Sequence, residues 1–224
     1  MTTTFRRARS DEQRAERSRA ILTTAASMLA EMPVADVSLN ELSRRVGLAK
    51  SNVLRYFESR EAVLLNLLNA ASNEWLTELT RTLRRGIDPG ADLSPRIGRT
   101  AELIAKSVAK RPALCDLLSA QSSVLERNIS TDSVVTFKRA ARADLATFAN
   151  LVVGCVPELG EEGASTFAAY AAMAVGALWT ASNPTDAVRA AYITAPDLSA
   201  MRIEFEPALR RMLQLLLTGI ADPR

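Results

Sequence analysis

The side chains most able to do chemistry in this sequence are hydrogen-bond donors grouped between residues 44 and 60. Lys50, Ser51 and Asn52 stand together there, with arginines on both sides of them. Side chains of these types donate to phosphate oxygens and to the edges of nucleic-acid bases. The chemistry that this stretch indicates is therefore binding to DNA.

Catalysis is a weaker interpretation, because the 224-residue chain contains no histidine. Its absence removes the commonest general base, the commonest metal ligand and every Ser-His or Cys-His nucleophile pair. The two cysteines, Cys115 and Cys155, are expected to be free, buried thiols. Carboxylates could still serve a small helical enzyme, but no compact set of them stands out. We therefore predict no catalytic residue, no metal site, no cofactor and no enzyme activity.

Two short helices must position the donors. Ser38 can cap the first helix, and Glu41 follows at the spacing of a capping box. Gly47 can end that helix, because glycine enters the left-handed conformation without a side-chain clash. A second short helix is predicted from about Ala49 or Lys50 to Phe57. The apolar residues expected on its inner side are Val53, Leu54 and Phe57. Such a pair forms a helix-turn-helix, whose second helix can enter the DNA major groove, although a surface helical hairpin is the alternative.

This segment resembles the DNA-binding domain of the TetR family of bacterial transcriptional regulators, over about residues 14–75. The residues that carry the resemblance are Ser38, Leu42-Ser43, Gly47-Leu48, Val53-Leu54-Arg55-Tyr56-Phe57 and Ser59-Arg60-Glu61. Two positions depart from the family pattern. Leu54 replaces a tyrosine that usually grips a phosphate, so that contact is not carried over. Ala49 replaces the serine that usually opens the recognition helix, so its first turn could start as late as Ser51.

We predict a DNA-binding surface in which the second helix approaches bases and the flanking residues hold phosphates. Its residues are Ser38, Arg44, Arg45, Lys50, Ser51, Asn52, Arg55, Tyr56 and Arg60. Lys50, Ser51 and Asn52 are expected at the bases. Charge supports this placement, because residues 1–60 hold 11 lysines and arginines against 7 acidic residues, whereas the rest of the chain holds 17 against 18.

The apolar periodicity predicts an all-α fold of about nine helices, with no strand pattern and no internal repeat. Residues 1–10 are expected to form a flexible basic arm, which either touches DNA or is a disordered tail. Residues 11–60 would form the three-helix DNA-binding domain. Residues 61–224 would form a larger regulatory and dimerisation domain, and a helix over about residues 59–85 would link the two.

The resemblance also implies a homodimer, built from the last two long helices as a four-helix bundle, and a C-terminal domain that binds a small molecule. From the apolar pattern alone, a buried central helix of a monomer and a plain core are the alternatives. The predicted interface residues are Ala169, Ala172, Met173, Gly176, Leu209, Met212, Leu213 and Leu216. The candidates for an apolar ligand pocket are Trp75, Leu117, Phe137, Phe148, Tyr170, Met173 and Trp179.

These features predict a sequence-specific transcriptional regulator, a ligand-responsive repressor that acts as a homodimer on a palindromic operator. The expected partners are double-stranded DNA, a second copy of the chain and a small apolar ligand. The alternative is a helical small-molecule or protein-binding module that has lost DNA binding. The longest apolar run, about residues 167–181, is shorter than the roughly 18 residues of a membrane span. With no secretory signal at its start, the protein is expected in the cytoplasm and away from the membrane.

Overall fold

The computed structural model describes residues 2–221, apart from the side chains of residues 2–11 and of Ser122. Within that range the chain forms ten α-helices and no strand, so the prediction of an all-α fold is confirmed. The helices are α1 (Thr2–Glu31), α2 (Leu39–Val46), α3 (Lys50–Val53), α4 (Arg60–Gly86), α5 (Leu93–Ala109), α6 (Pro112–Ala120), α7 (Thr131–Cys155), α8 (Gly160–Ser182), α9 (Asp186–Thr194) and α10 (Phe205–Ala221).

The chain divides into two compact units. The first unit contains the chain up to Ala70 together with Ala120–Phe137, and the second unit contains Ala71–Ser119 and the chain from Lys138 onward. The first unit therefore takes in the beginnings of α4 and α7, beyond the division that the sequence predicted near residue 60. Each of these two helices continues without a break into residues of the second unit.

The first helix begins at Thr2, where the sequence predicted a flexible arm over residues 1–10. Residues 2–31 contain no glycine or proline, so nothing in the local sequence interrupts helical hydrogen bonding. The basic side chains predicted in the arm lie outside the described side chains. Further along α1, Ile21, Ala25 and Met28 recur at helical spacing and are fully buried. This stripe forms part of the core of the first unit, where α1 packs against α2.

The helix-turn-helix is closed at both of its predicted boundaries. The Ser38 hydroxyl accepts a hydrogen bond from the Glu41 backbone N–H at 3.1 Å, which caps α2. Gly47 ends α2 with φ +73°, and the next backbone N–H, of Leu48, donates to the Ser43 carbonyl at 3.0 Å. Both signals therefore position the turn as the sequence indicated.

The second helix starts at one of the two predicted positions but ends four residues before the predicted end at Phe57. It begins at Lys50, with no side-chain cap from Ala49, and ends at Val53. Beyond it the backbone tightens, because the Tyr56 N–H donates to the Val53 carbonyl, three residues back, at 2.9 Å. Leu54, predicted on the apolar side, lies directly after the last residue of this helix and is 39% exposed.

The second unit has its own apolar core. Phe167 of α8 and Leu209, Leu213 and Leu217 of α10 are fully buried there, and α10 packs against α5 and α8. Both cysteines are free and buried, and burial raises the pKa of Cys115 to about 12. A thiol with so high a pKa holds little thiolate at neutral pH, so it is a packing residue rather than a nucleophile.

The segment Pro157–Ser182 is long and apolar enough, by length and composition alone, to cross a membrane. The sequence had instead indicated an apolar run too short for a membrane span. Its 18-residue window has a mean hydropathy of 1.2 and is 39% buried within the single chain. Core helices of soluble proteins pass the same test. Within the single chain, α8 exposes apolar surface at Tyr170 and Met173.

The left-handed turn at Gly47 gives a test of the helix-turn-helix. Gly47→Ala should lower the free energy of unfolding by about 1–2 kcal/mol, because a Cβ disfavours φ +73° even where space is open. Gly98→Ala is the matched control, since Gly98 lies in the interior of α5 with open space around it and should stabilise by about 0.5–1 kcal/mol. Urea unfolding followed by circular dichroism measures both, and a neutral Gly47→Ala would contradict the assigned turn.

Candidate DNA-binding surface

The first turn of α3 presents the three residues predicted to approach bases. Val53 is fully buried in the first unit, whereas Lys50, Ser51 and Asn52 are exposed. A helix of four residues has no stability of its own, so its orientation is set by the apolar side chain that it buries. The three donors therefore point away from the core and are free to meet another molecule.

Arg44 and Arg45, which were predicted to hold phosphates, share the carboxylate of Glu41. Arg44 donates from Nε and Nη2 to Glu41 at 2.8 and 2.6 Å, and its side chain remains 72% exposed. Arg45 donates to Glu41 at 2.8 Å and to Glu31, at the end of α1, at 2.7 Å. Arg45 therefore braces α2 against α1, and only Arg44 keeps an exposed face.

Arg60 also has an internal role. It donates from Nη2 to the Val34 carbonyl and from Nη1 to Glu61 at 3.4 Å, and its side chain is only 20% exposed. Its Nε is buried without a hydrogen-bond partner. The structure thus ties Arg60 to the turn between α1 and α2, which leaves little of the side chain to reach a phosphate.

Arg55 and Tyr56 line a cleft of about 720 Å³ against α1. The facing residues on α1 are Gln13, Arg14, Glu16, Arg17 and Ala20. Sequence reasoning missed Arg14 and Arg17 as candidate functional residues. Their spacing of three residues, which places both on one face of a helix, was the signal that could have found them.

Glu58 joins the end of the helix-turn-helix to the beginning of α7. Its carboxylate accepts a hydrogen bond from the Ser130 backbone N–H at 2.8 Å. Hydrogen bonds from Ser133 and Ser130 lower the pKa of Glu58. A carboxylate at a helix N-terminus is favoured by the helix dipole as well. The contact therefore holds the segment after α3 to a helix that continues into the second unit.

The residues predicted for a ligand pocket fall into different environments. Phe148 packs between Trp75 and Phe167 in tilted ring contacts, with ring centroids 5.1 and 5.9 Å away, inside the core of the second unit. Trp179 is half-buried and meets Phe205 edge to face. The two remaining buried candidates are Leu117 of the second unit and Phe137 of the first, and the two exposed ones are Tyr170 and Met173. Among these candidates, Trp75 and Phe148 are in direct ring contact.

The residues predicted for a dimer interface divide into a core set and an exposed set. Leu209 and Leu213 are fully buried in their own chain, and a Cβ on Gly176 would lie 3.1 Å from the Leu118 carbonyl. Those three serve the chain's own packing. Met173 and Met212 are exposed, and Ala169, Ala172 and Leu216 are partly exposed.

A capped helix-turn-helix that exposes polar donors beside a cleft lined by arginines is typical of helix-turn-helix DNA-binding proteins. Residues 21–67 match the family profile described as "Bacterial regulatory proteins, tetR family". Residues 69–224 match the profile "Tetracyclin repressor-like, C-terminal domain". The chain belongs to the TetR family of transcriptional regulators, as the sequence resemblance implied.

Individual relatives agree with this assignment. The HTH-type transcriptional regulator EthR of Mycobacterium tuberculosis is 41% identical over 59 residues, which are 26% of this chain and 27% of that protein. The match thus spans about a quarter of that relative's length. The fold is similar to that of the fatty acid degradation regulator FadR from Bacillus halodurans (TM-score 0.54, 13% identity, 91% of this chain and 95% of that chain). It is equally similar to a TetR transcriptional regulator from Rhodococcus sp. RHA1 (TM-score 0.53, 17% identity, 93% and 98%).

The Glu41 network gives a pH-dependent prediction. Hydrogen bonds from Arg44 and then Arg45 lower the pKa of Glu41 from 4.5 to about 2. A carboxyl with a lowered pKa stabilises the folded state above pH 4.5, and this contribution is lost as the pH falls toward 2. The stability difference between wild type and Glu41→Gln should therefore be constant near neutral pH and shrink between about pH 4.5 and 2.

Unfolding free energies from urea titrations at several pH values measure this difference. Glu74→Gln is the control, because it removes the same charge from an exposed position of α4 with no described ion pair. A Glu41→Gln difference that stays constant down to pH 2 would show that the two arginines do not hold the carboxylate.

Proposed function

We propose that this TetR-family regulator binds a palindromic operator as a homodimer, and that a small ligand releases it, so that it acts as a repressor. The observation that carries the proposal is the exposed first turn of α3, with Lys50, Ser51 and Asn52 opposite the buried Val53. An element of this size and polarity fits the major groove, where base edges differ in their donors and acceptors. Each protomer would read one half-site.

The roles of the remaining residues follow their contacts. Arg55 and Tyr56 stay assigned to phosphates, since they follow α3 directly and line an open cleft. Arg44 is a secondary phosphate ligand through its exposed face. Ser38 keeps its place as the cap of α2, where it fixes the first helix of the motif. Arg45 and Arg60 are reassigned from phosphate contact to bracing of the motif.

The dimer is supported by the uncovered apolar surface of α8 and α10. Tyr170 and Met173 are 52% and 69% exposed on α8, and Met212 and Leu215 are exposed on α10. These two helices pack against each other in the second unit. Two such pairs would form a four-helix bundle and bury the apolar side of α8. This burial would explain the apolar composition of α8 without placing the helix in a membrane. The protein would then work in the cytoplasm.

Ligand release needs a route from the second unit to the DNA-binding residues. Physically, a ligand has only to bind more tightly to the conformation that misplaces the two reading helices. Helices α4 and α7 contribute residues to both units, and Glu58 fastens the segment after α3 to the start of α7. A ligand that shifts the start of α7 would therefore act, through Glu58, on the segment that follows α3. Phe148 and Trp75 are the candidates that we retain for the ligand site.

The experiment that tests the proposal is selection of bound duplexes from a random pool. Recovered sites should be palindromic, with half-sites one helical turn or a multiple apart. Failure to retain any duplex at micromolar protein and low salt would favour a helical binding module that has lost DNA binding. Recovery of a single, non-symmetric half-site would contradict the homodimer.

Asn52→Ala should relax base preference at one position in each half-site. A bidentate contact to a base is worth about 1–3 kcal/mol of discrimination, so preference there should fall by roughly 5- to 150-fold. Asn150→Ala, an exposed asparagine on α7, is the matched control and should leave preference unchanged. Titration of the selected duplex and its single-base variants measures this loss. An equal drop in affinity for every duplex would assign Asn52 to the backbone instead.

Met173→Glu and Met212→Glu should convert the dimer into monomers, because each places a charge inside the proposed bundle. Val135→Glu is the control, since Val135 is an exposed apolar residue of the first unit. Sedimentation equilibrium should show dimers for the wild type and the control and monomers for the other two. Dimers in all four proteins would exclude this surface of α8 and α10 as the interface.

A further inference from the structure

The arginines of the first unit differ in whether a carboxylate of the same chain already pairs with them. Arg44, Arg45 and Arg60 all have carboxylate partners, whereas Arg14, Arg17 and Arg55 have no ion pair among the described side chains. These three arginines line the same cleft between α1 and the segment after α3. Arg19 and Arg127 of this unit also have no ion pair among the described side chains, but they are not part of the cleft's lining. An exposed cation keeps its full attraction for an outside anion only when no internal carboxylate competes with it.

The cleft is built for an anion rather than for an apolar molecule. Its ionisable lining consists of three arginines and one carboxylate, Glu16, with the Tyr56 hydroxyl and the Gln13 amide as further donors. Its volume of about 720 Å³ lies within the range of binding sites for small molecules or for a segment of a polymer. Guanidinium groups match the geometry of phosphate oxygens and often hold them with two parallel hydrogen bonds.

The position of the cleft relative to α3 identifies the source of the anion. Arg55 lies only three residues after Asn52, so the cleft adjoins the turn that is proposed to enter the major groove. A groove is flanked by its sugar-phosphate backbones, and contacts to them fix the register of the reading element. We propose that this cleft, with Arg14 and Arg17 from α1 and Arg55 from the end of the motif, holds a backbone phosphate beside each operator half-site.

This inference rests on the proposed function and adds α1 to the surface that binds DNA. Helix α1 would then help to fix the register of α3, because a phosphate bound between α1 and Arg55 prevents α3 from sliding along the groove. Glu16 has the opposite effect, since its carboxylate repels the same phosphate. The two opposing contributions in one cleft give substitutions whose effects should differ in sign.

The test is the salt dependence of DNA binding by the full-length protein. Each phosphate that the protein neutralises adds about 0.9 to the magnitude of the slope of log K against log salt, because condensed counterions are released from the DNA. Arg14→Gln combined with Arg17→Gln should therefore lower that magnitude by about 0.9 for each bound protomer, with the base preference unchanged. The lysine pair Arg14→Lys with Arg17→Lys should restore most of the slope, and Glu16→Gln should tighten binding to all duplexes.

Arg139→Gln combined with Arg142→Gln is the matched control, because it removes the same two charges from exposed positions of α7 in the second unit. If the wild type binds its operator and the glutamine pair keeps the wild-type slope, the cleft does not hold a phosphate, although the proposed function stands. If the glutamine pair instead loses base preference, the cleft reads bases and the inference is wrong. A wild type that binds no duplex would overturn the proposed function itself. Circular dichroism confirms that each variant is folded.

Discussion

The DNA-binding surface depends on the burial of Val53. A helix of four residues cannot hold its shape in water, and α3 has no side-chain cap at Ala49 to help it. The helix is fixed by its apolar side chain in the core of the first unit and by the capped helix α2 before it. Because Val53 points inward, the three preceding residues must point outward. The reading surface is therefore a consequence of packing.

The arginines of the same unit fall into two groups: some make internal contacts between helices, and others line an open cleft. Arg45 and Arg60 are held by Glu31, Glu41, Glu61 or a carbonyl, and they join α2 and the turn before it to the neighbouring helices. Their contacts stabilise the frame that holds α3, so substitutions there would weaken DNA binding indirectly. Exposed ion pairs contribute little individually, but a carboxylate shared by two arginines fixes geometry. Rigidity of this frame matters because base contacts tolerate little misplacement.

Sequence patterns anticipated those parts of the fold that local chemistry determines. The cap at Ser38, the left-handed Gly47 and the buried stripe on α1 each follow from one side chain or one helical period. The assignment of phosphate contacts to Arg45 and Arg60 did not follow, since the partners of an arginine depend on which carboxylates tertiary packing brings near. Glu31 lies 14 residues from Arg45 along the chain. The cleft on α1 was missed for the same reason: the spacing of Arg14 and Arg17 places them on one face of a helix, but tertiary packing sets Arg55 against that face.

The composition of α8 connects the apolar pattern to the assembly. A helix that serves one core buries a stripe and exposes polar residues on the rest of its surface. In α8 the stripe that includes Phe167 and Ala171 is buried, yet Tyr170 and Met173 lie on the exposed side. Large exposed apolar residues next to one another on a regular helix mark an interaction surface. The neighbouring helix α10 repeats this division, with Leu213 inside and Met212 outside. Two adjacent helices with the same excess of apolar surface favour a single self-complementary interface. In such an interface a two-fold axis would bring the same surface of a second copy against α8 and α10.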